Sequence, residues 1–262
     1  MMQSLFTVSP SAFRARAFPW AAALCISVIG MSSPVLADQL RFQASGEDLA
    51  TGGFVAPRLT KDGWALSFSH IQVTLGDVVA HQASPAYEPQ AGGEITSQAQ
   101  VALPGVVTID LVTHADGDDM VTVAELPAPA GHYNALAWSM LPALDGKHAG
   151  DSLVLIGEAE KDGTRVAFHI ASRDTVHHRC GEYVGDERKG FVTAGAPGEV
   201  EITLHLDHLF GRADKAADDP MNLDALGFAP FAGGGERQTF SLNGLHLGHV
   251  GEGHCAVALV DD

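Results

Sequence analysis

Hydrophobic and polar residues alternate with a period of two along most of the chain. Trp64, Leu66 and Phe68 keep one phase, and Ile71, Val73 and Leu75 the other. A one-residue change of phase inside a strand predicts a β-bulge near His70. Val107, Ile109 and Leu111 share a face. Val200, Ile202, Leu204 and Leu206 alternate with Glu201, Thr203, His205 and Asp207. Because successive side chains of a strand point to opposite faces, such patterns describe strands buried on one side. Further strands are expected over 40–44, 96–103, 120–126, 132–141, 153–160, 164–172, 239–242 and 255–260. Lys161-Asp162-Gly163 between two of them is a hairpin turn. A polar loop over 210–220 and one short helix near Leu223 complete the pattern. Strands do not alternate with helices, which excludes a doubly wound α/β fold. The expectation is an all-β chain: an antiparallel β-sandwich or barrel-like domain with long polar loops and at most short helices.

The first 37 residues read differently. Arg14 and Arg16 are their charged side chains, an apolar run follows from Ala17 to Met31, and Val35-Leu36-Ala37 is a small-residue cleavage pattern. This predicts a signal peptide over 1–37, cleavage near Ala37, and one β-sandwich-like domain over 38–262 in the periplasm or secreted. The apolar run is shorter than the roughly 20 residues of a membrane span, and the mature chain has no comparable segment. Leu24 before Cys25 is too bulky for a lipobox. Export also governs the other two cysteines. In an oxidising compartment Cys180 and Cys255 read as a disulfide; the alternative makes them thiolate zinc ligands with two histidines.

Charge narrows the partners. The chain carries 15 basic and 32 acidic residues, a formal net charge of −17, and loss of Arg14 and Arg16 makes the mature form more acidic still. Such a surface repels phosphate backbones, which excludes nucleic acid as a partner, and attracts cations.

All 13 histidines lie beyond residue 37. The densest group is His246, His249 and His254, with Glu252, in a loop containing Gly244, Gly248, Gly251 and Gly253. Neutral imidazole is a common ligand for transition metals, and a glycine-rich backbone lets several rings converge. His177 and His178 precede Cys180, so a Cys180–Cys255 bridge would draw one of them toward His254. His205, Asp207 and His208 form a third group, with His205 and Asp207 on one strand face. Imidazole with some carboxylate suits zinc first and copper(II) second. Few methionines (Met120, Met140, Met221) disfavour a copper(I) carrier. Asp214, Asp218, Asp219 and Asp224 offer oxygen ligands for calcium, without the EF-hand spacing. His114, Asp116, Asp118 and Asp119 form a turn with cation-binding side chains. His70, His81, His132, His148 and His169 stand apart and read as structural.

Catalytic signatures are missing: there is no Gly-x-Ser-x-Gly, His-Glu-x-x-His or phosphate loop. The leader pattern with His205–His208 and His246–His254 resembles exported His/Asp-rich bacterial proteins that accompany transition-metal uptake. That resemblance implies a metal-uptake transporter or receptor as partner, and it assigns no residue roles. The expected function is a periplasmic or secreted protein that captures, buffers or delivers a divalent transition metal. Two other readings stay open. One is a metal-dependent hydrolase with Glu252 as general base; the other is a carbohydrate- or protein-binding β-sandwich with incidental histidines.

Overall fold

A computed structural model describes residues 38–112 and 120–260. The leader pattern and the turn from His114 to Asp119 lie outside the described residues.

The elements in chain order begin with β1 (Gln39–Ser45), α1 (Glu47–Gly52), β2 (Ala65–Ala83), β3 (Ser97–Ala102) and β4 (Val107–Asp110). Next come β5 (Met120–Pro127), β6 (Gly131–His132), β7 (Ala135–Met140), β8 (Leu153–Lys161), β9 (Thr164–Ser172) and β10 (Thr175–Cys180). Then follow β11 (Phe191–Val192), β12 (Gly198–Leu204), α2 (Asp207–Phe210), α3 (Pro220–Asp224), β13 (Gln238–Thr239), β14 (Gly248–Val250) and β15 (Gly253–Val260). The protein is mostly β, with only short helices among the described residues.

One large curled sheet runs in the order β13-β9-β8-β2-β7-β10-β15-β14-β12-β1-β5, and β3 and β4 also pair with β2. The sheet is mixed rather than purely antiparallel: β1 runs parallel to β12, and β13 parallel to β9. Neither pair is joined by a hairpin, and only a hairpin forces antiparallel neighbours. Period-two patterning reports faces and carries no information on strand direction, so the two parallel pairs were not legible in it.

The expected bulge is present. Phe68 pairs with Gly157 and His70 with Ile156, which leaves Ser69 as the extra residue. Opposite it, a Cβ at Gly157 would lie 2.0 Å from the Ser67 carbonyl oxygen, so the strands can approach there only over a glycine. The β8–β9 hairpin turns on Asp162 and Gly163, at φ 50° and 77°, the two left-handed positions of a type I′ turn.

The core contains a continuous aromatic group. Phe210 packs edge-on against Phe54 with centroids 5.6 Å apart, and Phe68, Phe168 and Phe228 continue the cluster. Leu206, Leu209 and Phe210 are all fully buried. Their spacing of three and four residues is that of a helical turn, and it anchors α2 to the sheet. Cys180 and Cys255 face each other across β10 and β15 and form a disulfide, with α-carbons 4.1 Å apart.

Candidate metal centre

The geometry of the site follows from one rung of the sheet. Ser45 of β1 pairs with Thr203 of β12, Thr203 with His249 of β14, and His249 with His254 of β15. The β14–β15 hairpin that sets His249 opposite His254 turns on Gly251, at φ 58°. A Cβ there would sit 2.2 Å from the Val184 carbonyl oxygen, so both conformation and space require glycine. The Gly251 N–H donates to Thr203 Oγ1 at 2.9 Å and ties the turn back to β12.

Two residues beyond Thr203 comes His205, on the same face and diagonal to His249. Their rings stack in parallel planes with centroids 4.1 Å apart. The strand pattern continues on paper to Asp207, but β12 ends at Leu204. The His208 N–H donates to the His205 carbonyl at 3.1 Å, and the chain turns into α2. Residues three apart on a helical turn are neighbours, so His205 meets His208 rather than Asp207. Their centroids are 5.6 Å apart, and His208 lies 4.8 Å from His249. His205 and Asp207 therefore do not share a strand face. Buried Asp207 instead lies 4.0 Å from the Arg212 guanidinium. Burial, the largest influence, raises its carboxyl above the ordinary range, with His205 and Arg212 opposing.

His205, His208 and His249 each offer a ring nitrogen, and the three nitrogens lie within 4.8 Å of one another. Tetrahedral zinc with Zn–N bonds of about 2.0–2.1 Å needs nitrogens roughly 3.3 Å apart. The parallel ring planes of His205 and His249 do not intersect, so one of these rings must turn for both to ligate a single ion. His205 and His249 are buried and His208 is half-buried.

The hydrogen bond of His249 fixes its state. Nε2 lies 2.8 Å from the His246 carbonyl oxygen, which can only accept, so Nε2 carries the proton. Burial, followed by the neighbouring His205 and His208, pushes the imidazole down to about 3. The ring is neutral at physiological pH, and Nδ1 holds a lone pair. That atom is buried and has no hydrogen-bond partner among the described residues. A ring whose far nitrogen donates to a carbonyl while the near one is bare is the arrangement of a metal-ligating histidine. His208 is likewise held down to about 4 by burial, then by His205 and His254.

His205 differs. Burial is its largest influence and lowers it, but the Glu47 carboxylate, with Asp207 and Glu252, outweighs burial and leaves it raised. Its Nε2 lies 3.4 Å from Glu47 Oε1, within ion-pair distance but outside hydrogen-bond geometry. The parallel register explains the meeting: Ser45 faces Thr203, so Glu47 falls beside His205. Glu47 has φ 54°, a left-handed conformation uncommon outside glycine. Its N–H is held by Ser45 Oγ at 2.8 Å. Nothing in the local sequence signals Glu47; only the pairing of β1 with a strand over 150 residues away brings it here.

The remaining expected residues fall around the cluster or outside it. His254 lies on its exposed side, with its ring 4.9 Å from His249 and 6.3 Å from His208. His246 is exposed and contributes its carbonyl. Glu252 is exposed in the hairpin turn. His177 and His178 are outside the cluster. With Cys180 opposite Cys255, His178 faces Val257 and His177 faces Ala258, three and four residues from His254 along β15. At about 3.3 Å per residue that is roughly 10 Å or more. His178 stacks on Trp138 at 3.8 Å, and His177 Nδ1 lies 2.5 Å from Ser139 Oγ. The bridge thus does not carry them to His254. Among the aspartates of the acidic loop, Asp214 pairs with Arg212 and Asp219 caps α3 by accepting from the Met221 N–H.

Beside the cluster opens a cleft of about 440 Å³, with His208, His246, His254 and Asp224 on its walls. Comparison of the chain with protein-family models, with curated proteins and with solved structures finds no match.

Proposed function

We propose that this protein binds a divalent transition metal at His205, His208 and His249, and that it captures, buffers or delivers that ion. The observation that carries the reading is the buried, unpartnered Nδ1 of His249, in a ring whose tautomer is fixed by the His246 carbonyl. Leaving such an atom without a partner costs about 1–3 kcal/mol. A cation would supply the missing partner, and His205, His208 and His249 each offer a ring nitrogen within 4.8 Å of the others.

Zinc is the first choice and copper(II) the second, since an all-imidazole set is too soft for calcium or magnesium and lacks the thiolate of a blue-copper centre. His254 and His246, at the exposed side, are suited to pass an ion between solvent and the buried nitrogens. Glu47 orients His205 and balances the positive charge of a bound ion. The disulfide and the leader pattern both support the reading that the protein folds in an oxidising compartment. Delivery to an uptake transporter or receptor rests on the resemblance of the leader and the His-rich segments alone.

The test is metal content and affinity in protein purified without a histidine tag. The reading expects one high-affinity zinc or copper(II) site per chain. His208→Ala and His249→Ala should each weaken it at least about tenfold, on the scale of losing one ligand or its support.

A further inference from the structure

We infer that the cleft beside the cluster binds a small organic acid, whose carboxylate completes the coordination of the bound ion and whose apolar body lies along Met221 and Val257. This rests on the metal reading above. Three histidines leave a tetrahedral ion one position short. His208 belongs both to the cluster and to the cleft wall, so an ion held by it borders the cleft. The cleft is of ligand size, since organic ligands occupy sites of about 300–1,000 Å³.

Its walls define the ligand. Apart from His208, His246, His254 and Asp224, the lining is mainly apolar, with Met221 and Val257 among the side chains that form it. An apolar body of modest length is therefore accommodated better than a sugar. Among the described residues no lysine or arginine lines the cleft, and Asp224 is acidic. Without metal the walls offer a carboxylate no fixed positive partner, and the acidic chain repels it. With a divalent ion at the cluster, the same carboxylate finds a charge and a vacant coordination position at the polar end. Binding of the acid is accordingly conditional on the metal.

The experiment uses the untagged chain loaded with cobalt(II), whose visible absorption reports changes in coordination. Phenylacetate and acetate are titrated into the loaded and the metal-free protein. The inference expects both acids to perturb the cobalt spectrum, and phenylacetate to do so with an affinity at least roughly tenfold higher, from partial burial of its ring. It expects no saturable binding to metal-free protein. Met221→Trp, which fills the cleft, should keep the cobalt spectrum and lose the advantage of phenylacetate. Equal affinities, binding without metal, or a cobalt spectrum indifferent to both acids would overturn the inference while leaving the metal site intact. Failure of cobalt to bind at all would overturn the metal reading and this inference with it.

Discussion

At the scale of residues, the site depends on how burial holds His208 and His249 neutral and how a carboxylate offsets burial at His205. Glu47 is the residue whose role is most specific. In Glu47→Gln the side chain keeps its size and loses its charge, so His205 loses the influence that offsets burial. Zinc affinity should fall by roughly 10-fold or more, the usual effect of removing a carboxylate behind a ligating histidine. Calorimetric titration of the variant checks this; unchanged affinity would make Glu47 a bystander. His178 supplies a separate prediction about pH. Burial, with His177 and His246 adding to it, holds its imidazole down to about 3, against about 6.5 in the unfolded chain. The unfolded state therefore takes up a proton below pH 6.5 that the folded state refuses. Stability from this group is complete above pH 6.5 and is lost as pH falls toward 3, by up to about 1.4 kcal/mol per pH unit. Urea unfolding of His178→Phe between pH 7 and 4 should show a shallower acid loss than the parent. Parallel slopes would exclude His178 as the source.

At the scale of elements, the disulfide and the turn after β12 matter most. The bridge joins facing residues of neighbouring strands, 75 positions apart in sequence. Closing so long a loop restricts the unfolded chain, and the double variant Cys180→Ala/Cys255→Ala should lose about 2–4 kcal/mol, read from urea unfolding. No loss under oxidising conditions would contradict this. Much of the element pattern was legible in the chain: the bulge near His70, the Asp162-Gly163 turn and the alternation of β12 all follow from local periodicity. The turn at His205 was not. Alternation through Leu206 and Asp207 mimics a strand, whereas the buried set Leu206, Leu209 and Phe210 has helical spacing, and packing against Phe54 and Phe68 decides for the helix. That decision exchanges Asp207 for His208 as the neighbour of His205.

At the scale of the whole molecule, the cluster is a product of topology. His205 and His208 were visible as one local group, and His249 and His254 as another. Their convergence requires β12 to lie beside β14 and β14 beside β15, pairings that hydrophobic pattern does not encode. The same holds for Glu47, brought in by the parallel pairing of β1. A folded-state-only site of this kind links metal to global stability, because a ligand that binds only the native state stabilises it by about 2.7 kcal/mol at 100 times its Kd. Zinc should raise the thermal midpoint and a chelator should reverse the rise. The most direct test of the central claim is a zinc titration of the untagged protein at neutral pH, alongside His208→Ala/His249→Ala. The account predicts one site per chain with Kd below about 1 μM, abolished in the double variant. No binding tighter than micromolar, or equal binding by the double variant, would contradict it.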